Sequence, residues 1–196
     1  MSSRPLRADA ARNRARVLEV ADEVFGEQGR AGSTEEVARR AGVGVATVFR
    51  HFPTKESLLA AVVAARIHGL ADVADDLLRD GDPGTALFDF LRHVVAQART
   101  KSLLTEALAV PRPDGREVPP AGGDLHEARR GAETRFREAV GALLARSQAA
   151  GAARADVGVG DVLPLIAAAS RAAEVSPDDA TRDRAVGVVL DGLRAR

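Results

Sequence analysis

The chain has 196 residues, of which 45% are hydrophobic and 29% charged, enough for one or two compact cores and too apolar for a disordered tail. Its 28 Lys and Arg are balanced by 28 Asp and Glu, so no global field points to a polyanion or membrane partner, and any such site must be built from local charge. Cysteine is absent, which excludes disulfides, thiol catalysis and thiolate zinc sites, and the four His are scattered without metal-ligand spacing.

The chain opens with MSSRPLRADAARNRAR, polar and basic, with five Arg against the single Asp9 and no apolar leader segment behind them. Residues 1–56 carry ten Lys or Arg against eight acids, so the neutral total combines a basic head with a slightly acidic body. A first helix is predicted from Asp9 to Glu27, because Val17, Leu18, Ala21, Val24 and Phe25 fall on one face. Ser33-Thr34-Glu35-Glu36 reads as a capping box, with Ser33 accepting from the third helical N–H and Glu36 reaching back. The short second helix it opens buries Val37, Ala38 and Ala41 and ends at Gly42. A third helix starts at Gly44-Val45 and must stop before Pro53, since the residue preceding proline avoids helical angles.

A fourth helix begins at Thr54-Lys55-Glu56 and meets no breaker before Gly81. After the turn Asp82-Pro83-Gly84 come Ala86–Lys101, apolar nearly all round as in a buried helix, and a shorter helix over Leu103–Val110. The run PRPDGREVPPAGG cannot hold regular structure and reads as a surface loop. Helices then follow over Asp124–Ala150, Val159–Glu174 and Pro177–Leu193, with Pro164 harmless if Asp161 is the cap and a kink if the helix starts earlier. No stretch reaches the roughly 18 consecutive apolar residues of a membrane helix. About nine helices and no strand signal make this an all-α protein, and a soluble, cytoplasmic location is expected.

Helices two and three, joined by Ala41-Gly42-Val43-Gly44, have the spacing of a helix-turn-helix unit, in which Gly42 takes the positive φ of the bend and Val43 plugs the small core. The run TEEVARRAGVGVATVFRHFPTKESLL closely resembles the N-terminal domain of TetR-type transcriptional regulators, matching at Val37-Ala38, Ala41-Gly42-Val43, Thr47, His51-Phe52-Pro53, Lys55-Glu56 and Leu58. The resemblance implies a DNA-binding domain over residues 1–56 and a helical ligand-binding and dimerisation domain over 57–196. The C-terminal part is similar to the SbtR-like subgroup.

A recognition helix in the major groove would place Val45, Ala46 and Thr47 at base edges, as apolar contacts to thymine methyls and one hydroxyl. Arg50 and His51 are candidates for backbone or base contact, Ser33, Thr34 and Lys55 for phosphate at helix starts, and Arg4, Arg7 and Arg12 for the minor groove or flanking phosphates. The chain departs from the resembled pattern at Gly44, where Ser or Thr usually caps, at Ala46, where Gly is common, and at Phe49, which stands for a phosphate-binding Tyr.

The body carries no phosphate loop, nucleophile elbow or His-Glu-x-x-His spacing, so no catalytic residue, cofactor or metal is expected. The resemblance implies instead a small-molecule effector of apolar character and a homodimer on a double-stranded, palindromic operator. Candidate effector walls are Phe88, Leu91, Val95, Leu104, Leu108, Phe136, Val140 and Leu143, with His93, Gln97 or Glu106 as polar contacts, and a plain packed core explains the same residues. The dimer face is expected on the last two helices through Val162, Leu165, Ile166, Ala169, Val186, Val189, Leu190 and Leu193. Two other readings remain open: a helical protein-interaction module with weakened DNA binding, to which Gly44 and Phe49 would fit, and a small-molecule enzyme using His93 and Glu106.

Overall fold

The structure, a computed structural model, describes residues 4–100 and 123–195. Among them it forms eight α-helices and no strand: α1 (Arg4–Gln28), α2 (Thr34–Ala41), α3 (Val45–His51), α4 (Lys55–Asp80), α5 (Ala86–Thr100), α6 (Gly123–Ala149), α7 (Val159–Val175) and α8 (Asp179–Leu193), with a 3-10 turn at Gly29–Ala31. The helix expected over Leu103–Val110 and the Pro- and Gly-rich run after it lie outside the described residues.

Two helix starts differ from the sequence expectation and a third, that of α7, falls where expected, each for a local reason. Helix α1 begins at Arg4 rather than Asp9, because Pro5 sits in the first turn, where its missing N–H costs nothing. Helix α7 begins at Val159, because the Asp161 carboxylate accepts the Gly158 N–H at 2.9 Å as the inner member of a cap, and Pro164 is therefore inside the helix. Helix α8 begins at Asp179 rather than Pro177, with the Asp178 side chain accepting the Thr181 N–H at 2.7 Å.

The helices build two hydrophobic cores that meet within α4. The first joins Val17, Ala21, Val24 and Phe25 of α1 to Val37, Ala38 and Ala41 of α2, Val48 and Phe52 around α3, and Leu58, Leu59, Ala61 and Val62 of α4. The second starts shortly after in the same helix, at Ala64, and gathers Ile67 and Leu70 with α5, α6, α7 and α8. Among the described helices α4 has the length and apolarity of a membrane span, but half of its apolar window is buried by these partners.

Polar contacts tie α4 down along its length. Arg66, 9% exposed, pairs with the Asp22 carboxylate and donates from Nη2 to the Asp22 carbonyl at 3.0 Å, joining α4 to α1. Arg135 of α6 reaches Asp72 at 2.7 Å and Asp75 at 2.6 Å. Arg146 of α6 donates to the carbonyls of Leu77, at 3.2 Å, Leu78 and Gly81 at the end of α4, where the Leu77 carbonyl also accepts the Gly81 N–H at 2.9 Å. The chain end is held as well: the Arg154 N–H donates to the Leu193 carbonyl at 3.0 Å, and the Arg194 guanidinium lies 4.3 Å from the Phe88 ring centroid.

The dimer face expected from the sequence is largely internal. Val162, Ile166, Ala169, Leu190 and Leu193 are buried against this chain's own helices, and Leu165, Val186 and Val189 are half-buried. Helices α7 and α8 present other residues outward. Val175 is 66% exposed and Val188 73%, and Ala168 shares the outer side of α7. The apolar positions of these helices serve an inner face first, which periodicity alone does not distinguish from an outer one.

Arg66→Met removes the guanidinium that faces the part-buried Asp22 carboxylate and carbonyl, and a loss of about 1–3 kcal/mol is expected. Breaking the exposed Arg92–Asp89 pair with Arg92→Met should change stability by under about 0.5 kcal/mol. Urea unfolding followed by far-UV circular dichroism compares the two variants, since the chain has neither Trp nor Tyr.

Candidate nucleic-acid interface

The short helix α3 is held from behind and open in front. Gly42 ends α2 at φ 68° and ψ 30°, the left-handed region that non-glycine residues rarely enter, and its N–H donates to the Arg39 carbonyl at 3.3 Å while the Val43 N–H reaches the Ala38 carbonyl at 3.0 Å. A Cβ on Gly42 would meet nothing closer than the Arg16 guanidinium at 3.6 Å, so the backbone angle and not space calls for glycine. Space governs Gly32 instead, where a Cβ would fall 2.8 Å from the Phe25 ring. Helix α3 stops at Phe52, which is extended ahead of Pro53, and α4 starts at once. The Ser57 N–H donates to Thr54 Oγ1 and the Thr54 N–H to Ser57 Oγ, each at 3.0 Å.

Val48 and Phe52 are fully buried and fix α3 to the first core. Ala46 and Arg50 point away from these anchors and Val45 and Phe49 flank them, all four exposed together with Gly44, while Thr47 and His51 are half-buried. Gly44 caps α3 with backbone only. Arg50 makes no ion pair among the described residues, and the His51 ring lies tilted 6.4 Å from that of Phe52.

Several other candidates are engaged within the protein. The Ser33 hydroxyl accepts the Glu36 N–H at 3.1 Å and caps α2. Thr34 is buried and donates to the Glu35 carboxylate at 3.3 Å. The Lys55 ammonium donates to the Arg30 carbonyl at 2.6 Å, which leaves two of its three donor hydrogens. Arg12 is exposed and paired with Asp9. Arg4 and Arg7 lie in the first two turns of α1, which continues the basic arm as helix.

The second half of the expected capping box does not form. Glu36 turns away from the Ser33 N–H toward Arg39, at 2.7 and 2.8 Å, and Arg40, at 2.6 Å, because two guanidinium groups within a helical turn attract it more strongly than one backbone N–H. Arg40 also forks onto Glu27 of α1 at 2.9 and 3.1 Å. These hydrogen bonds, Arg39's first, hold the Glu36 carboxyl down to about 2. The spacing of Glu36 and Arg40 was readable as a helical pair, whereas Glu27–Arg40 and the stacking of Arg14 5.2 Å from the Phe52 ring centroid had no sequence signal.

In the body, Phe88, Leu91, Phe136, Val140 and Leu143 come together in the second core, where the Phe90 and Phe136 rings lie 6.0 Å apart. Val95 packs with Ala169 and Ala173 and lines a cleft of about 630 Å³ between α5 and α8, with Val186 and Leu190 as further apolar lining and Arg92, Arg182 and Asp183 as charged lining. His93 is half-buried, Gln97 is exposed, and Leu104, Leu108 and Glu106 lie outside the described residues.

Comparison with known proteins agrees with this arrangement. Residues 17–62 match the profile described as bacterial regulatory proteins, tetR family, and residues 82–195 match the C-terminal domain of SbtR-like transcriptional regulators. The chain is similar to a TetR transcription regulatory protein from Mycobacterium vanbaalenii, with 44% identity and a TM-score of 0.69 over 97% of this chain and 100% of that one. It is also similar to the TetR regulator SCO0520 of Streptomyces coelicolor, with 32% identity and a TM-score of 0.69 over 93% and 98%. A 77-residue stretch is 40% identical to the HTH-type regulator SrpR of Pseudomonas putida, covering 38% of this chain and 36% of that one, so the match spans little over a third of this curated relative.

The depressed Glu36 carboxyl fixes a pH dependence. Its contribution is complete above its ordinary value of 4.5 and is lost as pH falls toward about 2. Glu36→Gln should therefore show a shallower decline of melting temperature than the parent protein between those limits, read by circular dichroism.

Proposed function

The chain belongs to the TetR family of bacterial regulatory proteins, DNA-binding transcriptional regulators and not enzymes, and from that premise we propose that it is a homodimeric repressor released from a palindromic operator by a small molecule. The observation that carries this reading is α3: fastened from behind by Val48 and Phe52, it offers Val45, Ala46, Phe49 and Arg50 to solvent on a fixed platform.

In this reading residues 1–56 are the DNA-binding domain and 57–196 the effector-binding and dimerising domain, with α4 passing from one to the other. Val45, Ala46 and Thr47 meet base edges, and Arg50 and His51 meet a base or the backbone. The ends of α2 and α4, with Ser33, Thr34 and Lys55, flank phosphates, Thr34 through its backbone N–H because its side chain is buried. Arg4, Arg7 and Arg12 supply charge along the flanking duplex.

Dimerisation uses the outward side of α7 and α8, around Ala168, Val175 and Val188, and sets two α3 helices about 34–36 Å apart, one turn of duplex. The effector is an apolar small molecule. The α5–α8 cleft supports this because its apolar lining, Val95, Val186 and Leu190, belongs to helices that also carry the dimer side and the second core. An effector that prefers one arrangement of these helices shifts α4, and with it the spacing of the recognition helices. Action on chromosomal DNA places the protein in the cytoplasm.

The first test is binding to DNA upstream of its own and neighbouring genes across a salt series. Arg50→Ala and Thr47→Ala should each weaken operator binding about tenfold with helix content unchanged. Removing residues 1–8 should lower the slope of log affinity against log salt by about 0.9 for each phosphate that the arm had neutralised. Affinity indifferent to salt, or no protected palindrome, counts against the reading. Effectors are best sought by thermal shift with an external dye, because Trp and Tyr are absent.

A further inference from the structure

The large apolar side chains exposed among the described residues are Val45, Phe49, Val175 and Val188. The last two lie on the outward side of the body, while Val45, 36% exposed, and Phe49, 40% exposed, lie on α3, four residues apart and so on one face of the helix. Among the described side chains of the first core's helices, every other large apolar one is buried or half-buried. Exposing a valine and a phenylalanine on a seven-residue helix contributes nothing to the fold, since Val48 and Phe52 already fasten it.

The same face is poor in hydrogen-bonding groups. Gly44 and Ala46 have no polar side-chain atom, Thr47 and His51 are half-buried, and Arg50 is the exposed cation. Base edges in the major groove are read by donors and acceptors or, at thymine, by the C5 methyl group, the one feature there that an apolar surface recognises. The chemistry of the face therefore selects methyl groups, with Arg50 beside it for an acceptor or a phosphate.

We propose that Val45 and Phe49 form a methyl-reading patch, so that this protein discriminates operators by the C5 methyls in its half-sites and responds to methylation of cytosine at those positions. The proposal rests on the DNA-binding reading above and deepens it. Phe49, on this account, is a specificity residue that takes up a methyl through its ring, and its missing hydroxyl is part of what makes the patch apolar. Because the dimer applies the patch twice, each symmetric pair of methyls counts twice.

The experiment uses the full-length dimer and duplexes selected from random DNA by the unaltered protein. Each half-site thymine is replaced in turn by uracil, which removes the methyl and leaves every hydrogen-bonding group in place. One contacted methyl should be worth about fourfold in affinity, and a symmetric pair about fifteenfold. Where cytosine replaces the contacted thymine, 5-methylcytosine should recover the methyl share of the affinity. In the Val45→Ala, Phe49→Ala double variant the thymine-to-uracil penalty should fall to under about twofold.

Selection of a salt-sensitive operator whose uracil forms all bind within about twofold of the thymine form would overturn the patch and leave the DNA-binding reading standing. A penalty that persists undiminished in the double variant would assign it to the duplex's own stiffness and likewise overturn the proposal. Failure to select any duplex at all would overturn both.

Discussion

Membership of one helix in two cores is the constraint on which the remaining architecture depends. The first turns of α4 close the DNA-binding head through Leu58, Leu59 and Val62, and the next turns open the body through Ala64, Ile67 and Leu70. A three-helix head of this size buries too little of its surface to stand alone, so a wall borrowed from α4 is a condition of its folding. The same sharing makes the head's orientation a property of the body. Rotation of α4 against α5 and α6 moves α3 with it, because Arg66 pins α1 to α4 through Asp22 while Arg135 and Arg146 pin α4 to α6. A regulator needs such a mechanical link between the site that senses and the site that binds DNA.

The head was readable in the chain because its constraints are local. Gly42 must be glycine for a positive φ, Pro53 must follow an extended residue, and Thr54 must cap, and each of these acts within four residues of its cause. Local rules also explain the helix boundaries that differ from expectation. The chain after Pro5 has no breaker, so the basic arm continues as helix, and the Asp178 side chain caps the last helix so that it starts at Asp179.

Contacts between elements left no such trace. Nothing in the chain announces that Lys55 will donate to the Arg30 carbonyl, that Arg40 will fork onto Glu27, or that Gly32 must be small because the Phe25 ring lies against it. The apolar stripes of α7 and α8 pointed to a buried face, and at Val162, Ile166, Ala169, Leu190 and Leu193 it is this chain's own helices that bury it. Val162, Ile166, Leu190 and Leu193 satisfy the same periodicity whether the neighbour is another helix of the chain or a second protomer. The effector walls show the same ambiguity: Phe88, Leu91, Phe136, Val140 and Leu143 are together, as core, and Val95 alone of the described set lines the α5–α8 cleft.

By itself, then, the sequence determined the all-helical class, the helix-turn-helix unit with its turn and caps, and the family, because hydrophobic period, glycine and proline angles and cap chemistry are properties of neighbouring residues. Tertiary structure alone decided which side of each apolar helix is turned inside, which cations are already paired, and that Val45 and Phe49 stay uncovered. Those outcomes depend on which surfaces meet across dozens of residues, and a one-dimensional pattern records that a surface must be buried without recording what will bury it. The opening balance of 28 cations and 28 acids has the same character. It is silent about partners as a sum, and it acquires meaning once Arg39 and Arg40 are found committed to Glu36 and Arg50 is left facing outward.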